Sequence, residues 1–175
     1  MELPWITLND RYQWLSGWRH CSRRALIIGA GVAGLSCADT ILEDDEWHVT
    51  LVDKGRGAGG RCSTRRTKSV QFDHGAQYFT ARTPRFLARV SELERLNSVI
   101  PWSPRLVHID SHHNITLRRP KKRFVGFPGM SHFVRDWSTQ RSVKFGVHIK
   151  DIEKDAGAWS VADFKDLGNF DLLVL

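Results

Sequence analysis

The sequence has little of what marks a secreted or membrane-spanning protein. Its three cysteines, Cys21, Cys37 and Cys62, show no paired spacing, so we expect no disulfide framework and predict a reducing compartment, the cytoplasm. No apolar run reaches the roughly 18 residues that a membrane-spanning helix needs. Repeats and low-complexity segments are absent too. With 41% hydrophobic and 26% charged residues in 175, the composition is that of one globular domain, or of one domain with a small second lobe.

The N-terminal segment lacks the features of a cleaved leader. Ser22-Arg23-Arg24 before an apolar stretch is similar to a twin-arginine export signal. Glycines interrupt that stretch, however, and a β-strand explains it better. Residues 1–24 contain three tryptophans but no apolar core of a secretory signal. We interpret them as an extension that precedes the domain.

Metal and nucleic-acid sites are weakly supported. His108, His112 and His113 lie close together, but with no cysteine or fourth ligand nearby we predict a turn between two strands and no metal. The net charge of +7 suits polyanions, and its densest basic run is at 118–123. Because no zinc finger or RNP strand accompanies that run, we favour a solvated loop over a nucleic-acid surface. Salt-dependent binding to DNA would support the weaker alternative. We expect a small-molecule substrate, with neither nucleic acid nor a membrane as partner.

The region from 25 to 53 contains an ordered pattern of elements. Residues 25–28 form a short apolar run, which is typical of a buried parallel strand. Apolar residues at helical spacing follow at 32–42, and a second strand is predicted at 47–52. Strand, glycine turn, helix and strand within so short a stretch make one βαβ unit. The predicted fold class is α/β of the Rossmann type.

The glycine turn has the spacing of a dinucleotide-binding loop. Gly29-Ala30-Gly31-Val32-Ala33-Gly34 is a G-x-G-x-x-G pattern. Its first glycine permits the sharp turn, its second lets a pyrophosphate approach the backbone, and its third lets the helix pack on the strand. Free N–H groups at the helix N-terminus favour a negatively charged ligand. The pattern alone is weak, but its position between a strand and a helix strengthens it.

Asp53 closes the second strand, 24 positions after Gly29. A carboxylate at that distance accepts hydrogen bonds from the ribose hydroxyls of an adenine dinucleotide, and it would repel the 2′-phosphate of NADP. The alternative is that Asp53 is only a turn residue. We favour the ribose-binding interpretation because the glycine loop precedes it.

The loop after Asp53 favours a flavin over a nicotinamide dinucleotide. Lys54-Gly55-Arg56-Gly57-Ala58-Gly59-Gly60-Arg61 follows directly. Gly59 and Gly60 permit close backbone approach to a ligand. Arg56 and Arg61 can supply forked donors to phosphate or to flavin edges. A flexible basic loop is the alternative, but the coupling to the upstream glycine pattern favours FAD as the cofactor.

The rest of the chain alternates short strands and helices. The predicted strands are at 70–72, 99–118 (a hairpin turning near 111–114), 123–127, 143–152, 158–164 and 170–175, and the predicted helices are at 84–96 and 129–137. Within 170–175, the four residues after Asp171 form an uninterrupted apolar run, as in a central strand covered on both faces. Because a parallel strand normally leads into a loop and a helix, we expect a fragment.

Five segments in order carry a resemblance to a known family. They are IIGAGVAGLSCA at 27–38, DKGRGAGGRCSTRR at 53–66, FDHGAQYFTAR at 72–82, FVGFPGMSHFVR at 124–135 and FDLLVL at 170–175. The sequence resembles, over about residues 25–175, the renalase-like branch of the FAD-dependent amine oxidase superfamily. The second and third segments are specific to that branch. The wider superfamily usually has an arginine two positions before the glycine pair, whereas here Gly57 occupies that position and Arg56 lies one residue earlier, as is usual in the branch.

The resemblance implies where the cofactor binds. The glycine loop would contact the pyrophosphate, Asp53 the ribose (glutamate is commoner there), the Gly59–Gly60 pair the ribityl-phosphate region, and 75–77 the flavin ring. A strand at 147–149 would contact adenine. The cofactor-binding set is Gly29, Ala30, Gly31, Ala33, Gly34, Asp53, Lys54, Arg56, Gly59, Gly60, Arg61, Gly75, Ala76, Gln77 and Ile149. His74 lies in a segment expected to form a buried loop, so that a structural role and a role as a catalytic base are both open. No catalytic residue is predicted.

The resemblance also implies an organisation and an activity. We expect an N-terminal extension at 1–24, an FAD-binding βαβ unit with its glycine-pair loop at 25–80, an inserted partial α+β substrate lobe at 81–130, and a truncated return to the FAD-binding domain at 131–175. The implied chemistry is hydride transfer from a small substrate, a dihydronicotinamide or an amine-like compound, to flavin N5, with oxygen as the expected oxidant. Family members are about twice as long, so the alternative is a catalytically inactive nucleotide-binding remnant.

Overall fold

The fold is described by a computed structural model that covers residues 23–117, 122–162 and 164–175. Residues 1–22 of the predicted extension, with Cys21, and residues 118–121 of the basic run lie outside this range. The strands are β1 Arg23–Ile28, β2 Trp47–Asp53, β3 Thr64–Arg66, β4 Gln71–Asp73, β5 Val99–Trp102, β6 Val107–Ile109, β7 Ile115–Leu117, β8 Arg123–Gly126, β9 Val143–Phe145, β10 Ile152–Asp155, β11 Ala158–Val161 and β12 Leu172–Val174. The α-helices are α1 Val32–Ile41, α2 Pro84–Arg95 and α3 Met130–Ser138.

A parallel sheet of four strands, in the order β12-β1-β2-β9, organises the described residues. β1 pairs with β2 in parallel, with Ala25 opposite Val49 and Ile27 opposite Leu51. Parallel neighbours need a crossover connection, and α1 supplies it. The mixed α/β architecture and the predicted βαβ unit are confirmed.

Residues of β1 alternate between two hydrophobic cores. Ala25 and Ile27 are buried in the core that all three helices share. Leu26 points to the opposite side, where it packs in a second core with Val161 of β11 and Phe170. Because successive strand residues face opposite sides of a sheet, an uninterrupted apolar run is needed when both sides are covered. The sheet therefore has helices on one face and the β10–β11 hairpin on the other.

The contact between β1 and α1 requires a glycine at position 34. A Cβ added there would lie 1.9 Å from the carbonyl oxygen of Gly29. Gly29 itself has φ of +118°, a conformation that L side chains rarely adopt. The turn and the close packing of the helix therefore depend on different glycines.

Three sequence predictions need correction. Residues 99–118 do not form one hairpin, because β5 pairs with β8 and only β6 and β7 form a hairpin with each other. Pro104, which lacks a donor for a strand ladder, lies in the break between β5 and β6. Residues 143–152 are not one strand, because Gly146 with φ of +73° turns the chain after β9. The strand predicted at 170–175 is not central: β12 is the outermost of the four described strands on its side, and its residues are half-buried.

Asp39 on α1 connects the three helices. Its side chain is 11% exposed and accepts hydrogen bonds from Arg89 of α2 at 2.6 Å and from the indole N–H of Trp137 of α3 at 3.0 Å. Arg141, just after α3, donates from Nε at 2.7 Å and makes a second contact through Nη2. Removal of one member of a mostly buried charge network leaves the others unpaired.

None of the described helices combines the length and the apolar character that crossing a membrane requires.

We predict that Asp39→Ala lowers the free energy of unfolding by about 3–5 kcal/mol, because Arg141 loses its carboxylate partner in a mostly buried setting and Arg89 keeps only the more exposed Glu92. Urea unfolding followed by circular dichroism measures this. Glu43→Ala is the matched control, since the Glu43–Arg85 ion pair is exposed and is worth about 0–1 kcal/mol. Equal losses in the two variants would contradict the assignment.

We predict that Gly34→Ala lowers the free energy of unfolding by about 2–3 kcal/mol, because α1 must move away from β1 to accept the added methyl group. The same urea measurement tests this. Gly57→Ala is the control: no heavy atom lies within 4 Å of its added Cβ, and a change within about 0.5 kcal/mol is expected. Similar stability of Gly34→Ala and Gly57→Ala would show that the fold does not depend on the close packing of α1 against the end of β1.

Candidate dinucleotide site

The glycine loop presents its backbone at the carboxyl end of β1. Its first residue, Gly29, donates its N–H to the carbonyl oxygen of Val52 on β2 at 2.7 Å. The helix that follows has Gly31 as its N-cap residue, and no side chain caps it. The first amides of a helix have no partner within the helix and carry the positive end of its dipole. This end of α1 is therefore suited to an anionic group.

The Asp53 carboxylate lies against the glycine loop. Oδ2 accepts the N–H of Ala30 at 2.7 Å, and Oδ1 accepts the N–H of Gly55 at 2.7 Å. Both distances are those of charge-assisted hydrogen bonds. Asp53 thus makes a local turn contact as well as a contact to the loop, so the two interpretations of this residue are compatible. Each carboxylate oxygen has a second lone pair, which could accept a ribose hydroxyl.

The hydrogen bonds of Ala30 change its predicted role as a pyrophosphate contact. Its N–H is already bonded to Asp53, and its carbonyl oxygen accepts the N–H of Gly59 at 3.3 Å. Ala30 therefore holds the site together with its own backbone groups. The amides that begin α1, from Gly31 onward, are the better candidates for contact with a pyrophosphate.

The glycine pair of the second loop packs on the first loop, backbone against backbone. A Cβ added to Gly60 would lie 3.4 Å from the Cα of Gly31. Gly60 also has φ of +54°, a conformation that favours glycine. The two glycine-rich segments that the sequence analysis singled out are thus direct neighbours.

The contacts continue from this pair towards residues 75–77. Arg61, the next residue, accepts the N–H of Ala76 with its carbonyl oxygen at 2.7 Å. A Cβ on Gly75 would lie 2.1 Å from the same oxygen, so a side chain at 75 would separate the two segments. A continuous backbone surface therefore leads from Gly31 through Gly60 and Arg61 to Gly75.

Several predicted cofactor-binding side chains are exposed to solvent. Ala33, Lys54, Arg56, Arg61 and Gln77 are exposed. Ile149 is half-buried and packs in the second core, on the far side of the sheet from the helices. The predicted strand at 147–149 is irregular backbone, yet Val147 donates its N–H to the carbonyl oxygen of Asp53 at 3.0 Å. That bond keeps the segment beside the end of β2.

A cavity of about 360 Å³ adjoins the glycine loop. Gly29, Gly31 and Gly34 line one side of it, and Val174 and Leu175 at the end of β12 line another. Open α/β sheets bind ligands outside the carboxyl ends of their strands, and this cavity has that position. A larger cavity of about 460 Å³ lies among the helices around Asp39. In the larger cavity, Arg89 and Arg141 are already engaged with Asp39, so the cavity at the glycine loop is the better candidate site.

A carboxylate that sequence reasoning missed caps α3. Asp73 at the end of β4 accepts the N–H of Met130 at 3.0 Å and the hydroxyl of Thr64 at 2.6 Å. Thr64 Oγ1 in turn accepts the N–H of Ser131 at 3.0 Å. Asp73 and Met130 belong to two of the segments that carry the family resemblance, but nothing in the sequence indicated that those segments touch.

Two titratable groups near the site have shifted pKa values. Burial raises the pKa of the Cys62 thiol, although the nearby Arg61 charge opposes the shift. Burial and the charges of Arg135 and Arg66 lower the pKa of His132. His74 is exposed, so the expectation that it lies in a buried loop is wrong.

No metal cluster is evident in the described part of the chain, where no three His, Cys, Asp or Glu side chains are grouped to hold an ion. His112 and His113 lie in the turn between β6 and β7, where Asp110 accepts the N–H of His112 at 2.8 Å. The predicted turn is therefore present.

Comparisons with known proteins agree with this architecture. A family model described as an NAD(P)-binding Rossmann-like domain matches residues 27–93. The structure is similar to that of a candidate protoporphyrinogen oxidase from Exiguobacterium sp. 255-15, with 10% identity, a TM-score of 0.64, and coverage of 89% of this chain and 59% of that one. It is also similar to a tetracycline destructase, with 17% identity, a TM-score of 0.52, and coverage of 87% and 37%.

These likenesses show the fold, and the chain spans little more than half the length of the first of these structures and about a third of the second. Residues 27–93 form the Rossmann-like, dinucleotide-binding part of this α/β fold.

Proposed function

We propose that this chain binds FAD and forms the dinucleotide-binding part of a renalase-like oxidoreductase. The observation that carries the proposal is the 2.7 Å hydrogen bond between Asp53 Oδ2 and the N–H of Ala30. It places a carboxylate against the glycine loop, whose Gly29, Gly31 and Gly34 line a cavity at the carboxyl end of β1. A carboxylate there suits a ribose with free hydroxyls and repels a 2′-phosphate, which favours FAD over NADP.

The second support is the backbone surface that extends beyond the glycine loop. Gly60 contacts Gly31, and Arg61 holds Gly75 and Ala76. Glycine at positions 60 and 75, favoured by a positive φ and by the nearby Arg61 carbonyl respectively, leaves backbone groups open to a ligand. We propose that the amides of α1 contact the pyrophosphate, that Asp53 accepts from the ribose, and that residues 75–77 approach the flavin ring. Ile149 remains our candidate for the adenine contact.

The proposed activity follows from the cofactor. FAD, when bound, would accept a hydride at N5 from a small substrate, and the protein's part is to bind and orient it. The candidate protoporphyrinogen oxidase and the tetracycline destructase are named for small-molecule substrates, and we propose a small molecule here, a dihydronicotinamide or an amine-like compound. We assign residues 25–80 and 131–175 to cofactor binding and 81–130 to part of a substrate lobe. The free thiols of Cys37 and Cys62 suit the cytoplasmic setting that we propose.

Titration of the purified chain with FAD and with NADH, followed by fluorescence, tests the proposal. We expect flavin absorbance in the purified protein or saturable binding of added FAD, and weaker binding of NADH. A chain that binds NADH and ignores FAD would overturn the flavin assignment. FAD binding without bleaching by any dihydronicotinamide or amine would favour the inactive nucleotide-binding alternative.

We predict that Asp53→Ala weakens FAD binding by about tenfold or more, because a charge-assisted hydrogen bond contributes about 1.5–3 kcal/mol. Asp151→Ala, which removes an exposed carboxylate from the loop before β10, is the control and should leave the dissociation constant unchanged. Thermal melts of both variants establish that they are folded. Unchanged FAD affinity in folded Asp53→Ala would remove the ribose-binding role.

A further inference from the structure

We propose that Asp73 is a positioning residue that holds residues 74–77 for the flavin half of the cofactor. This inference rests on the function proposed above. The observation behind it is the pair of bonds from Met130 N and Thr64 Oγ1 to one oxygen, Oδ1, of Asp73. These bonds join the end of β4 both to β3 and to the start of α3.

Helix α3 needs this cap because its own sequence lacks one. Its N-cap residue is Gly129, which has no side chain to accept the first amides. Asp73 and Thr64 accept the amides of Met130 and Ser131 instead. A carboxylate at this end also interacts favourably with the helix dipole. A Cβ at Gly129 would lie 3.1 Å from the Thr64 side chain. Glycine at this position therefore lets Thr64 lie close to the start of α3.

The capped end is directly connected to the proposed flavin contact. Asp73 precedes the segment 74–77, in which Gly75 and Ala76 lie against the carbonyl oxygen of Arg61. Asp73 therefore anchors this segment at its first end, and Arg61 anchors it in the middle. Asp53 and the glycine loop have separate contacts, through Ala30 and Gly55. Loss of Asp73 should release the flavin end of the site and leave the ADP end in place.

Binding of ADP and of FAD to the full chain separates these two ends. ADP reports on the glycine loop and Asp53, whereas the ratio of the two dissociation constants reports on everything beyond them. In Asp73→Ala we expect the dissociation constant of ADP to stay within about twofold of that of the unsubstituted chain. The factor by which FAD binds more tightly than ADP should fall by roughly tenfold. Isothermal titration calorimetry measures both constants.

Asp110→Ala is the matched control. Asp110 is also an exposed carboxylate that accepts nearby backbone amides, those of His112 and Asn114, but it lies in the β6–β7 hairpin. It should change neither constant. Thr64→Val, which removes the hydroxyl between Asp73 and Ser131, should lower the gain of FAD over ADP in the same direction as Asp73→Ala. If Asp73→Ala does not fold, Asp73→Asn replaces it, with a smaller loss expected.

Two results would overturn the positioning role. Equal weakening of ADP and FAD in Asp73→Ala would mean that the cap supports the fold in general, and an unchanged FAD-to-ADP ratio would mean that residues 74–77 do not depend on it. Failure of the proposed function is distinguishable, because the unsubstituted chain would then bind ADP and show no gain for FAD.

Discussion

The hydrogen bond between Asp53 and Ala30 is the contact on which the candidate site depends. It fixes the glycine loop to the end of β2, and the carbonyl of the same alanine receives Gly59 from the second loop. Ala30 is thus held on both sides by the two segments that would contact the cofactor. A site whose backbone is already held in place loses less conformational entropy on binding. The Asp53 carboxylate therefore positions the loops even when no ligand is bound.

Local patterns were enough to predict the parts of the fold that local physics determines. The βαβ unit followed from an apolar run, a glycine turn and helical spacing, and the structure has each element within a residue or two of its predicted bounds. Helix α2 begins at Pro84 as predicted, because proline suits the first turn of a helix. The helix predicted at 129–137 is present as α3, and its apolar residues Met130, Phe133, Val134 and Trp137 are all buried.

Contacts between distant residues could not be predicted in this way. Asp39 meets partners 50, 98 and 102 positions away, and Asp73 meets Met130, 57 positions away; no local pattern records such pairs. The same limit explains the wrong partner for β5. The strand predicted at 147–149 is wrong for a different reason. A single glycine, Gly146, ends β9 inside an otherwise strand-like sequence.

The most direct test of the account is an amide NMR titration of the chain with ADP. Binding at the glycine loop predicts that the largest chemical-shift changes fall on the backbone amides of 31–34 and 59–61. Smaller changes are expected around Asp39 in the larger cavity. If the amides around Asp39 respond and those of the two glycine-rich loops do not, the dinucleotide site is elsewhere and the central claim fails.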